Sequence, residues 1–112
     1  MEDFMILIRI SPELLTEDNT NLLQQQWEPV IKRWMQNNTL INAWLFREGG
    51  YTISGKGEVV VSKGYHLDNG MAVTGTMQIR TIDMAAALEE AKLCPTPLFG
   101  GMIELRKINL FN

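Results

Sequence analysis

A single cysteine, Cys94, and a single histidine, His66, are all that 112 residues offer for thiol or imidazole chemistry. A lone cysteine excludes an internal disulfide, which fits a reducing compartment and predicts a cytoplasmic protein. One histidine and one cysteine cannot complete a typical zinc site, so no metal and no cofactor is expected. An excess of positive charge is also missing: 13 acidic residues stand against 10 basic ones, with interspersed signs and a net charge of −3. Nucleic acid is bound through concentrated basic stripes, so it is not an expected partner. No apolar run approaches the ~20 residues of a membrane span. The opening Met1-Glu2-Asp3 is acidic where a signal peptide is basic. Ser54-Gly55-Lys56-Gly57 lacks the spacing of a phosphate-binding loop and reads as a turn.

What is present suffices for one domain over residues 1–112. Hydrophobic residues make up 46% of the chain, and a chain this long buries roughly 65% of its unfolded surface without metals or cross-links. From Asp3 to Ile10, Phe4, Ile6, Ile8 and Ile10 alternate with Met5, Leu7 and Arg9, as on a half-buried strand. Between Thr16 and Asn37, Leu23, Trp27, Val30, Ile31 and Trp34 recur at helical spacing. Pro29 lacks an N–H and predicts a kink there, or two short helices. Leu40–Phe46 reads as a second strand, Glu58–Ser62 as a short one, and Tyr51–Ser54 as a short strand within a glycine-rich loop.

The last third is the most ordered in pattern. Asp68-Asn69-Gly70 is a turn signal, and the alternating strand Met71–Thr81 is expected to pair back across it. Asp83 then caps a helix with Met84, Ala87, Leu88 and Ala91 on one face and Glu89, Glu90 and Lys92 in solvent. Cys94-Pro95 ends it, and Gly100–Arg106 returns as a strand. The order β–α–β, hairpin, β–α–β predicts an α+β, ferredoxin-like antiparallel sheet with two helices on one face and a small extra hairpin.

Helices on one face leave the other bare. By parity Ile6, Ile8, Val73, Met77, Ile79, Ile103 and Leu105 face the helices. Met5, Leu7, Thr74, Thr76, Gln78, Glu104, Arg106 and either Trp44 or Leu45 face away. So apolar a face suits self-association, giving a homodimeric α+β barrel, although a loop within a monomer would cover it equally well.

Two groups of residues carry candidate chemistry. His66 and Asp68 lie two apart beside Tyr65, a spacing that sets a general base near a carboxylate; equally, Asp68 and Asn69 serve the backbone of a solvated turn. Arg9, Arg80 and Arg106, with Glu104, Gln78 and Trp44, fall on the bare face. Guanidinium forks there would bind a small organic acid, or they form cross-strand ion pairs, Arg9 with Glu104 and the other two near Asp3. Trp27 and Trp34 read as core. Cys94 reads as a buried thiol at a helix C-terminus, where the pKa rises rather than falls.

The strand Phe4–Ile8, the tryptophan-bearing helix with Trp34, the run Ala87–Pro95 and the Gly100-Gly101 pair followed by Glu104-Leu105-Arg106 together resemble the YCII-related family, in its DGPF-type branch. Lys107 stands where that family often has proline. The tetrapeptide that names the branch falls on Lys63-Gly64-Tyr65-His66, of which only the glycine matches. Asp68 takes the place of a glutamate, and Gly70-Met71 replaces a Lys-Glu pair. Some members are enzymes, one eliminating chloride from a chlorinated muconate-type acid, with a His–Asp dyad whose histidine lies in the first helix region. This chain has no histidine there. The resemblance therefore implies a non-catalytic small-molecule-binding or accessory module. The alternatives are an isomerase or lyase of unsaturated or aromatic acids using His66 and Asp68, and a protein-interaction partner without a ligand.

Overall fold

Strand β1 (Glu2–Ile10) carries the alternation that organises the molecule: Phe4, Ile6, Ile8 and Ile10 are buried, and the residues between them are half-buried. The structure, a computed structural model, describes residues 1–109, so the last three positions of the expected domain lie outside the described residues. After β1 come α1 (Glu17–Gln36), β2 (Leu40–Leu45), β3 (Tyr51–Ser54), β4 (Val60–Lys63), β5 (Ala72–Thr81), α2 (Met84–Ala91) and β6 (Met102–Lys107). Short 3-10 turns occupy Pro12–Leu14 and Thr96–Phe99. The fold is α+β: an antiparallel four-stranded sheet in the order β2-β5-β1-β6, a separate two-stranded sheet of β3 and β4, and two helices.

Helix α1 begins where Thr16 Oγ1 accepts from the Asn19 N–H, at 3.2 Å, with Glu17 and Asp18 in the first turn. It then runs unbroken through Pro29, where the sequence predicts a kink or a division into two. Pro29 and Gln25 are both on the exposed side, so the carbonyl that proline leaves unpaired is free to meet water. Trp27, Val30 and Trp34 point the other way. They pack on Phe4, Ile6, Ile8, Met77 and Ile79 together with Ala87 and Ala91 of α2, so both helices lie on one face of the sheet. Trp27 and Trp34 meet edge to face, with ring centroids 6.1 Å apart.

Three further expectations are corrected. The alternation of β5 does not run through: the register with β1 shifts between Ile8 and Arg9, where Ile8 opposes Gly75 and Arg9 opposes Val73. Thr74 is the extra residue of this bulge. It is buried, its hydroxyl reaching the Ile8 carbonyl at 3.5 Å, while Val73 joins Arg9 on the bare face. A bulge resets a period of two, which exchanges the faces expected for Val73 and Thr74. Second, β5 does not pair back across Asp68–Gly70 onto β4. Asp68 and Met71 exchange backbone hydrogen bonds of 2.8 and 3.0 Å with Asn69 and Gly70 at positive φ, a closed turn of one rung, and β4 pairs with β3 instead.

The third correction is Glu90, expected in solvent. Glu89 and Lys92 do pair at the surface, at 2.9 Å. Glu90 instead turns toward α1, accepting from Trp34 Nε1 at 3.0 Å and from Arg33 Nε and Nη2 at 3.1 and 3.0 Å. A buried indole needs an acceptor, and Trp34 is fully buried. The Arg33 hydrogen bonds, helped by Trp34, hold the Glu90 carboxyl below its ordinary value although burial acts the other way.

This clasp yields two measurements. Trp34→Phe keeps most of the ring and removes the donor, so urea unfolding is expected to show a loss of about 1.5–3 kcal/mol, the range for hydrogen bonds to charged groups. A carboxyl depressed in the folded state contributes stability that is present above its unfolded value and lost as pH falls through the folded one. Stability is therefore expected to decline below about pH 4.5, the ordinary glutamate value. Glu90→Gln is expected to flatten that decline, and an unchanged acid profile would contradict the clasp.

Candidate functional site

The register fixes what the bare face presents. One row runs Glu104, Leu7, Thr76, Trp44 across β6, β1, β5 and β2; the next runs Arg106, Met5, Gln78, Asn42. Met102, Arg9 and Val73 form a third row, and Asp3 faces Arg80 in a fourth. Trp44, rather than Leu45, is the residue on this face, and it is 56% exposed.

Every arginine on the face already holds a carboxylate. Arg9 Nε donates to Glu104 Oε1 at 2.9 Å. Arg80 grips Asp3 with both fork nitrogens, at 2.6 and 3.1 Å, and those hydrogen bonds lower the Asp3 pKa and raise that of Arg80. Arg106 lies 3.6 Å from the second oxygen of Glu104. Gln78 accepts from Asn42 Nδ2 at 3.2 Å. The face is thus an apolar centre of Met5, Leu7, Val73 and Trp44, ringed by the Arg80–Asp3 pair and by Glu104 shared between Arg9 and Arg106.

His66 and Asp68 lie on the connector between β4 and β5, and both are exposed. Asp68 serves the backbone rung with Met71. Among the described residues neither side chain has a hydrogen-bond or ion-pair partner, so no carboxylate orients the imidazole for proton transfer.

A different place combines burial with free polar groups. A cleft of about 430 Å³ opens where the N-terminal half of α1 overhangs the ends of β1, β2 and β5. Ile8, Leu23, Trp27, Leu45 and Phe46 give it apolar walls, and the bulge residue Thr74 lies at its floor. Arg47, Glu48 and Tyr65 line its rim. Tight packing brings that rim together: a Cβ on Gly49 would come within 2.6 Å of the Tyr65 backbone nitrogen, so only glycine lets the segment after β2 approach the segment after β4. Arg47 has no carboxylate partner among the described residues. An apolar cleft with one free guanidinium and a phenol at its mouth is suited to a small organic acid: the body desolvates while the carboxylate stays at the rim.

Sequence reading missed Arg47, Phe46 and Thr74 as site residues. Phe46 was read as the last residue of the second strand, Arg47 lies in the loop beyond it, and the bulge conceals Thr74. Tyr65 carried a signal only through its place beside His66. Among the described residues no group of three or more His, Cys, Asp or Glu could hold a metal ion, and no helix is long and apolar enough to cross a membrane.

The chain matches no family model and no curated protein. Fold and site define it only as an α+β protein with a half-covered antiparallel sheet and a cleft at one end.

Cys94, just past the end of α2, is buried in the core, and burial, with a smaller push from Glu90, raises its thiol to about 12. An ordinary thiol ionises near 9.0, so a disulfide reagent is expected to label the folded protein about a thousand-fold more slowly than the urea-unfolded chain. Rapid labelling of folded protein would place the thiol outside the core.

Proposed function

We propose that this chain is a non-catalytic module that binds a small organic acid, built on a ferredoxin-like sheet of the YCII-related type and dimeric through its bare face. The observation that carries the ligand is the cleft under α1, with its unpaired Arg47 and its Tyr65 set against apolar walls. Arg9, Arg80 and Arg106 make weaker anchors, because a ligand carboxylate would have to displace Glu104 or Asp3. The strand order β2-β5-β1-β6, with the two helical crossovers on one side, supports the ferredoxin-like reading. Met5, Leu7 and Trp44 at the centre of a face whose charges lie at its margins support the homodimer.

The isomerase or lyase reading lacks comparable support, because His66 stands exposed without a carboxylate partner. A cytoplasmic location agrees with the lone buried thiol.

The test is a thermal-shift screen against unsaturated diacids and aromatic carboxylates. A ligand at 100 times its dissociation constant stabilises the fold by ~2.7 kcal/mol, a rise of several degrees for a domain of this size. The shift is expected to disappear in Arg47→Ala, weaken in Tyr65→Phe and persist in Arg80→Ala. A flat screen on folded protein would overturn the ligand reading and leave an interaction role.

A further inference from the structure

The mouth of the cleft under α1 carries two opposite charges, and neither is spent within the chain. Arg47 and Glu48 are consecutive, and on an extended strand their side chains would point to opposite sides. Here β2 has ended at Leu45 and the chain bends at both residues, so both line the same cleft. Among the described residues neither forms an ion pair, with the other or with any third group. The other four of the five arginines, Arg9, Arg33, Arg80 and Arg106, each reach a carboxylate.

This pair sets the charge of the ligand. Among the described residues the lining holds one cation, Arg47, and one anion, Glu48. A dicarboxylate on Arg47 leaves its second carboxylate against apolar walls, where desolvation opposes it, or beside Glu48, where repulsion does. A monocarboxylate satisfies Arg47 but sits next to an unanswered Glu48. A ligand with an anion and a cation close together answers both neighbours, as when carboxylate and ammonium share one carbon. The walls set the rest. Three aromatic side chains, Trp27, Phe46 and Tyr65, line the cleft, and such surfaces favour another ring. Its volume of about 430 Å³ is near the lower end of the ~300–1,000 Å³ of ligand clefts, which suits one small aromatic group. Thr20 and Gln24, one turn apart on α1, add a hydroxyl and an amide on the side opposite the rim.

We propose that the cleft binds an aromatic α-amino acid as its zwitterion, with the carboxylate on Arg47, the ammonium on Glu48 and the ring between the apolar walls. The inference rests on the reading of the cleft as a small-acid site and narrows it to one class of acid. Arg47 supplies affinity for any carboxylate, whereas Glu48 supplies the choice among carboxylates. It favours a ligand that brings a positive charge and disfavours one that brings a second negative charge.

The test is titration calorimetry of the full chain with phenylalanine and with three compounds that alter one charge each. These are 3-phenylpropionate, without the ammonium; phenethylamine, without the carboxylate; and phenylsuccinate, with a second carboxylate. Phenylalanine is expected to bind about fivefold more tightly than 3-phenylpropionate, the scale of one exposed ion pair, and phenylsuccinate and phenethylamine more weakly still. Glu48 is exposed, so Glu48→Gln leaves the core intact; it is expected to erase the preference for phenylalanine while 3-phenylpropionate still binds. Arg47→Ala is expected to abolish binding of both. If 3-phenylpropionate or phenylsuccinate binds at least as well as phenylalanine, or Glu48→Gln leaves the preference unchanged, the zwitterion is overturned and the small-acid reading stands. Phenethylamine binding as tightly as phenylalanine, or no binding of any of the four to folded protein, would overturn both.

Discussion

A four-stranded sheet has two faces, and two helices of this length cover one. That constraint governs the rest of the molecule. The covered face is filled with Phe4, Ile6, Ile8, Met77 and Ile79 under Trp27, Val30 and Trp34, and it supplies the burial that holds the chain together. The other face must be tolerable both in water during folding and against whatever finally covers it. Its composition suits both demands: apolar side chains at the centre, and charges kept to the margins, where they are mostly paired. Arg80 is matched by Asp3, and Arg9 and Arg106 share Glu104, so one positive charge is left over, and it sits on Arg106 at the exposed margin.

The two helices are fastened by a polar contact rather than by apolar packing alone. Trp34 fills the core completely and would leave its indole N–H orphaned there. Glu90 reaches across from α2 to accept that hydrogen, and Arg33, one residue before Trp34, compensates the carboxylate. Each partner makes the burial of the next acceptable, which is why the removal of one leaves the others at a cost greater than a surface ion pair. The same contact fixes α1 against α2, and α1 in turn roofs the cleft.

Much of this was legible in the sequence. The period of β1, the helical stripe of Trp27, Val30 and Trp34, and the Asp83 cap each follow from local patterns that tertiary contacts reinforce. The pairing of Arg9 with Glu104 and of Arg80 with Asp3 follows from strand direction alone. Glu90 was hidden because helical periodicity ranks residues by polarity and does not know that a tryptophan nitrogen opposite needs an acceptor. Pro29 misled because the cost of proline in a helix depends on where the freed carbonyl points. At β3 and β4 the strands were visible, but not their choice of partner.

The remaining failures of pattern coincide in space. Thr74, whose face the bulge reverses, lies at the floor of the cleft; Arg47 and Tyr65, from segments without periodicity, form its rim. The bulge adds one residue and turns Thr74 inward, which sets its hydroxyl at the end of the apolar interior. Likewise, a connector can bring a guanidinium to a cleft mouth without committing it to a carboxylate, which every arginine of the bare face has. Local rules give way where a structure is shaped for something other than its own stability. The cleft gathers three such departures, whereas the arginine-bearing face follows the rules of a well-made sheet, and this contrast favours the cleft as the place where the protein acts.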